Sequence, residues 1–385
     1  MRVLFTAWAW PSHLYAMVPL AWAARAAGHD VLVACQPSLT AAARRTGLPY
    51  AVVGSDVDSV DLVRGYALPT RRFGTPPVPP GPLANGRAPR ALRMFQANAE
   101  AMVDDLVRLA GEWRAGLVVH DPTAWAAPIA AAAAGVPAVR HLYGADLVHR
   151  ARRFLPELLA PMAERHGLDD LDPLGAATID PFPAGVQVEV DYRPTPIRYV
   201  PYNGAGADPR LGPADRPRIC VTWGTTMARV DVRRFLARDA VSALAGSEAE
   251  VVAAVTAAQR PLLGSLPEGV RVVEDAPLHA VLPSCDLLVA HGGAGTSLTG
   301  LAAGLPQLLV PQLPDHEAHA TRLVRAGAAE LLPPDDAGPA ELRERALRLL
   351  HDERAKEAAA RLREEIAARP APAAVVPHLE RIATA

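Results

Sequence analysis

Lysine is almost missing from this chain of 385 residues: Lys356 is the only one, although lysine and arginine together number 39. That bias, with abundant alanine, is a codon signature of a GC-rich genome, such as an actinobacterial one, and not of a surface chemistry. A surplus of either charge is also lacking. The formal net charge is −2 and charged residues make up 21%, which excludes a nucleic-acid surface and a polybasic membrane anchor. Small molecules are the expected partners. Cysteine is scarce: Cys35, Cys220 and Cys285 are odd in number, widely spaced and set in apolar, strand-like contexts. They read as buried free thiols, not as disulfides or a metal site, and suit a reducing cytoplasm. No run of about twenty uninterrupted apolar residues is present to span a membrane. The opening, Arg2 followed by an Ala-rich stretch to Ala27, mimics a signal peptide, but Pro11, Ser12, His13 and Pro19 interrupt it. A strand over 3–7, a loop and a helix over 17–27 fit it better.

The length suits two domains, each able to bury its own core. A helix, then Ala-Gly, then a strand recurs at 26–31, 134–137, 303–306 and 326–328. Each glycine stands where a helix terminates with positive φ, and each apolar run after it is short enough for a buried parallel strand. This alternation predicts an α/β protein with two Rossmann-like, doubly wound parallel sheets. The Pro/Gly-rich stretch from 201 to 217 separates them. We place a first domain over 1–205, a linker over 206–217, a second domain over 218–370 and a last helix over 371–385. Two stretches, 55–93 with its Pro76-Pro77-Val78-Pro79-Pro80 cluster and 143–193, fit the alternation poorly and read as long loops, functional or solvated.

One segment carries most of the chemistry. His291-Gly292-Gly293-Ala294-Gly295-Thr296-Ser297 joins an apolar run ending at Val289-Ala290 to an Ala/Leu-rich helix. Small residues between strand and helix expose backbone N–H groups at a positive helix end, where phosphate oxygens sit. Thr296 and Ser297 add hydroxyl donors, and His291 adds a donor or a positive charge. Read alone, the segment is equally a plain glycine-rich turn. Gln307 to Val310 then reads as a buried strand, followed by Pro311-Gln312-Leu313-Pro314-Asp315-His316. Two successive strand ends with polar groups should face one crevice.

His-Gly-Gly-x-Gly-Thr at 291–296 followed by Pro-x-x-x-Asp at 311–315 resembles the GT-B glycosyltransferases that use nucleotide sugars to decorate natural products. The resemblance extends over the opening, 1–28, and Arg-Tyr-Val-Pro-Tyr-Asn-Gly at 198–204. It departs at His316, where the family usually has Gln to bind the donor sugar. A GT-B fold, with the last helix crossing back onto the first domain, is what the resemblance implies.

Glycosyl transfer needs a base for the acceptor proton and a receptor for the diphosphate. His13, after the first strand and before a helix whose positive end favours neutral imidazole, is the candidate base. Asp121, ending Val118-Val119-His120, is the candidate to fix its tautomer. A capping histidine and a helix-capping Asp are the bland alternatives, and the resemblance assigns the catalytic roles. Thr225 and Thr226, after the strand 219–223, can place hydroxyls on the diphosphate or cap a helix. Ala276-Pro277-Leu278 resembles the segment that holds the base through backbone groups; Pro277 also suits an ordinary helix start. Asp315 and His316 are expected on the donor sugar. With His291 and helix N–H groups at the phosphates, no metal and no cofactor is expected.

In relatives that use UDP-sugars, the residue eight after the motif histidine is commonly Glu, binding the ribose hydroxyls; here it is Thr299. That favours a dTDP-deoxysugar, transferred with inversion to a hydrophobic polyketide-type aglycone. The segments around 55–93 and 143–193 would then shape the acceptor pocket. A homodimer and an activator protein are compatible with the resemblance. A UDP-sugar enzyme or epimerase of the same fold and a non-catalytic accessory subunit are the competing readings; a dehydrogenase is disfavoured because Thr6-Ala7-Trp8-Ala9-Trp10 lacks the dinucleotide glycines. Asp56-x-Asp58 and Asp170-x-Asp172 read as chance acidic spacing, and His316-Glu317-x-His319 as a solvent-facing helix end.

Overall fold

The computed structural model describes residues 1–73 and 90–385. Its strands form two all-parallel sheets. The first contains β1 (Arg2–Thr6), β2 (Asp30–Cys35), β3 (Tyr50–Val52), β4 (Leu117–His120), β5 (Ala138–His141), β6 (Ala177–Asp180) and β7 (Thr195–Pro196), in the order β3-β2-β1-β4-β5-β6-β7. The second contains β8 (Arg218–Thr222), β9 (Glu250–Val255), β10 (Val270–Glu274), β11 (Leu287–Ala290), β12 (Gln307–Leu309) and β13 (Ala329–Leu331), ordered β10-β9-β8-β11-β12-β13. Both sheets are doubly wound, as the helix–strand alternation predicts.

Each central strand is apolar throughout because its side chains serve two cores in turn. On β1, Val3 and Phe5 pack with the helix Pro11–Ala26, while Leu4 packs with the helices Arg90–Glu112 and Ala126–Ala133. On β8, Ile219 and Val221 face the helices Ala237–Leu244 and Pro339–Leu350, and Cys220 faces Ala294–Ala303 and Glu353–Ala368. Cys35, Cys220 and Cys285 are buried free thiols. Gly28, Gly135, Gly304 and Gly327 follow helices with φ of 91°, 67°, 76° and 81°, where a Cβ would be strained. The last helix, Pro372–Thr384, buries Val375, Val376 and Leu379 against β1 and the first helix, and Glu380 meets His29 at 3.0 Å.

Two expectations change. The first helix starts at Pro11, not near Met17: proline is favoured at the first helical position, where its missing N–H costs nothing. The stretches read as long loops contain helices at Ser59–Arg64 and Leu155–Arg165, and Arg90 begins another. Asp58 caps the first of these by accepting from Asp61 N at 3.1 Å, and Asp172 accepts from Leu174 N at 2.9 Å, so both acidic pairs have local backbone work. The proline cluster 76–80 lies outside the described residues.

Residues 59–73, although early in the chain, are fastened to the second half. Arg64 Nε donates to Val230 O at 3.1 Å, Leu68 N to Gln312 O at 2.9 Å, and Thr70 and Arg72 bond Asp335.

Gly54, at φ +65°, is clamped under the helix Arg90–Glu112: a Cβ there would lie 2.1 Å from Ala101 O. Gly54→Ala should lower unfolding free energy by about 3 kcal/mol or more, read by denaturant titration; an unchanged midpoint would contradict this packing.

Candidate functional site

The two sheets turn their carboxyl ends toward one cleft of about 970 Å³. In each sheet the reactive groups follow the pair of strands between which the strand order reverses, β1/β4 and β8/β11, where an open parallel sheet leaves a crevice.

On the first-domain side, His13 occupies the first turn of the helix Pro11–Ala26 and is only 7% exposed. Its Nδ1 lies 3.1 Å from Asp121 Oδ1, and Asp121, directly after β4, is fully buried. Burial works against the Asp121 charge, but the neighbouring His13 and hydrogen bonds from Thr123 hold its carboxyl below the usual range. Thr123 gives Oδ1 both its N–H, at 2.8 Å, and its hydroxyl. The same His13 Nδ1 has two more polar neighbours, Trp8 Nε1 at 3.0 Å and Thr123 Oγ1 at 3.2 Å. Tyr143 stacks on the imidazole with centroids 3.8 Å apart. Trp8, Trp10, Met94, Phe95, Leu147 and Val148 give this end of the cleft an apolar wall.

Across the cleft, Gly292 (φ 84°) and Gly293 turn the chain from β11 into the helix Ala294–Ala303. Its first intrahelical bond is Ser297 N to Gly293 O at 2.9 Å, so the N–H groups of Ala294, Gly295 and Thr296 precede the helical ladder. His291, Gly293, Ala294, Gly295 and Thr296 line the cleft with Thr225, Thr226, Ala276, Leu278, Asp315 and His316. Gly292 and Ser297 do not. Ser297 is fully buried with its hydroxyl unpartnered, because its position at the end of the first turn aims it into the core rather than at the cleft.

Of the two roles open to His291, donor or positive charge, burial favours the donor. Desolvation, with His316 beside it at a 4.8 Å ring separation, holds its pKa well below the usual range, so it meets a ligand as a neutral donor. His316 is pushed down to about 3 and His319 to about 4 by burial. Neither faces solvent: they are 4% and 1% exposed, on the inner face of the helix Pro314–Arg325. His319 packs against Gly144, where a Cβ would fall 2.9 Å from its Nε2 and 2.8 Å from Ala294 Cβ, so the two halves touch there without room for a methyl group.

Thr299 does not line the cleft. Its hydroxyl meets Tyr199 OH and Asn203 Nδ2, both at 3.1 Å, and those residues stand between it and the cavity. Tyr66, Tyr143, Tyr199, Asn203 and the two tryptophans were not singled out from sequence. The available signal was position: Tyr143 follows β5, and Trp8 follows β1, at carboxyl ends.

Family models described as Erythromycin biosynthesis protein CIII-like match residues 22–76 and 84–224 with an N-terminal domain and 238–382 with a C-terminal domain. The chain belongs to the erythromycin biosynthesis protein CIII-like family. It is a glycosyltransferase of the GT-B type. It is 36% identical to the 10-deoxymethynolide desosaminyltransferase of Streptomyces venezuelae, over 100% of this chain and 97% of that protein. It is 37% identical to the tylactone mycaminosyltransferase of Streptomyces fradiae, over 99% and 92%. The glycosyltransferase VinC, solved with dTDP, superposes with a TM-score of 0.81 at 33% identity over 100% of both chains. The spinosyn rhamnosyltransferase SpnG, solved with spinosyn aglycone, superposes at 0.82 with 31% identity over 99% and 100%. Among the described residues of this family member, no helix is long and apolar enough to cross a membrane, and no group of three or more His, Cys, Asp or Glu is placed to hold a metal ion.

The His291 ring is held between two glycines. A Cβ on Gly293 would lie 2.5 Å from its Nε2, and one on Gly224 2.6 Å from its Cε1. Gly293→Ala should therefore displace the ring and weaken nucleoside diphosphate binding about tenfold, for a packing cost of about 1–2 kcal/mol. Calorimetry reads it; an unchanged Kd would remove the ring from the phosphate site.

Proposed function

We propose that this protein moves a deoxysugar from a dTDP-sugar to an apolar, polyketide-type aglycone with inversion at the anomeric carbon. The observation that carries the reading is the juxtaposition across one cleft of a buried His–Asp pair and a helix N-terminus reached through a glycine turn. The named relatives act with deoxysugars on such aglycones, and VinC and SpnG were each solved with dTDP.

In the reaction, His13 Nε2 takes the proton of the acceptor nucleophile, which bonds to the anomeric carbon from one face. The bond from that carbon to the diphosphate oxygen breaks on the other, and dTDP leaves with the electron pair. Asp121 stabilises the imidazolium that forms. The N–H groups opening the helix Ala294–Ala303, with neutral His291 and the hydroxyls of Thr225 and Thr226, receive the growing phosphate charge. These donors supply that stabilisation without a metal ion. Asp315 and His316 take sugar hydroxyls, Ala276 and Leu278 hold the nucleobase, and Trp8, Trp10, Met94 and Phe95 receive the aglycone. Tyr199 and Asn203 offer the ribose only neutral groups, which suits a 2′-deoxyribose. Closing the cleft keeps water from the activated sugar.

Calorimetry should show dTDP preferred over UDP, with binding lost in His291→Ala; UDP preference would move the donor to a UDP-sugar, and no binding of either would favour an accessory subunit. His13→Ala should lower kcat by roughly 10²–10⁴-fold with dTDP affinity kept. Full turnover by that variant would remove His13 as the base.

A further inference from the structure

His13 Nδ1 is one site with either one proton or one lone pair, yet it faces both a donor and an acceptor. The Trp8 indole N–H, at 3.0 Å, can only donate; the Asp121 carboxylate, at 3.1 Å, only accepts. The two contacts cannot be hydrogen bonds at once. Bonded to Trp8, Nδ1 is bare, the proton sits on Nε2, and Nε2 cannot accept a proton from the acceptor. Bonded to Asp121, Nδ1 carries the proton and the Nε2 lone pair is free.

Two features favour the Trp8 arrangement in the unliganded protein. Asp121 Oδ1 already accepts the Thr123 N–H and hydroxyl, so His13 approaches as a third donor, at a length beyond the roughly 2.7–2.9 Å of a charge-assisted bond. Trp8 is 2% exposed, stacks on Trp10 at 4.9 Å and meets the His13 ring edge-on, so its N–H is held in place. Asp121 Oδ2 meanwhile is buried without a partner.

We propose that Trp8 is a positioning residue that holds His13 in its unproductive tautomer until an acceptor enters. Trp8 and Trp10 both line the end of the cleft where the aglycone would lie, so a bound acceptor bears directly on the indole. Displaced from Nδ1, Trp8 releases the imidazole to Asp121, and the Nε2 lone pair becomes available. With donor bound and no acceptor, water at the anomeric carbon finds no base, and the sugar is spared hydrolysis. This rests on His13 acting as the base.

The test is nitrogen NMR of histidine-labelled protein loaded with dTDP, compared with Trp8→Phe, which keeps an aromatic ring but lacks the N–H. We expect His13 to be protonated on Nε2 in the wild type and on Nδ1 in Trp8→Phe, with donor hydrolysis in the absence of acceptor raised several-fold in the variant. Thr123→Val, which frees one bond on Asp121 Oδ1, should shift the tautomer the same way and covers the case in which Trp8→Phe does not fold. A wild-type His13 protonated on Nδ1, or a tautomer unmoved by both variants, overturns the proposal. The tautomer is read without turnover, so its outcome is separate from that of the His13→Ala assay, which judges the base itself.

Discussion

A parallel sheet covered by helices on both faces leaves polar side chains few places to stay wet, and the carboxyl ends of its strands are the chief one. Here two such sheets point those ends at each other. His13 and Asp121 follow β1 and β4, Thr225 and His291 follow β8 and β11, and Asp315 follows β12. The topology places the groups before any side-chain contact refines them, because at β1/β4 and β8/β11 the chain departs in opposite directions and leaves the crevice open.

The same burial that builds the cores sets the electrostatics of the cleft. Two histidines that line it, His291 and His316, are held low by desolvation. Imidazolium ions at those two positions would bind a diphosphate by charge alone and release it slowly. On the proposed function, neutral rings and helix N–H groups instead hold the diphosphate through aligned dipoles, which grow in value as charge develops on the leaving group. Asp121 is the counterpart: a buried carboxylate whose Oδ1 accepts the Thr123 N–H and hydroxyl and lies beside His13.

Local signals were readable from sequence and non-local ones were not. Glycines at 28, 135, 304 and 327 and the short apolar runs after them mark the fold because helix termination depends on a few adjacent residues. The glycine turn between β11 and its helix was readable for the same reason. Trp8, Tyr66, Phe95 and Tyr143 come from four separate segments, and an aromatic residue reads equally well as core. His319 carries a local signal as well: His316, His319, Ala320 and Leu323 share the spacing of one helix face, which the structure buries. Reading histidine as polar hid that stripe. Pro11 misled in a similar way, since proline both breaks helices and starts them.

The separation of His13 and His291 is the quantity that no local pattern encodes. His13 follows a strand of one sheet and His291 a strand of the other, and the chain between them includes the long segment 198–217, which does not by itself fix a distance. Contacts of two kinds do. Gly144 rests on Ala294 and His319 with no space for a Cβ, which limits how near the halves come. Residues 59–73 limit how far they part: Leu68 and Arg64 bond backbone of the second half, while Tyr66 and Leu68 also line the cleft. The wall that meets a substrate is thus the same segment that ties the halves together. On the proposed function, a movement that admits a large acceptor would strain those bonds, which would link acceptor shape mechanically to the alignment of His13 with the leaving group.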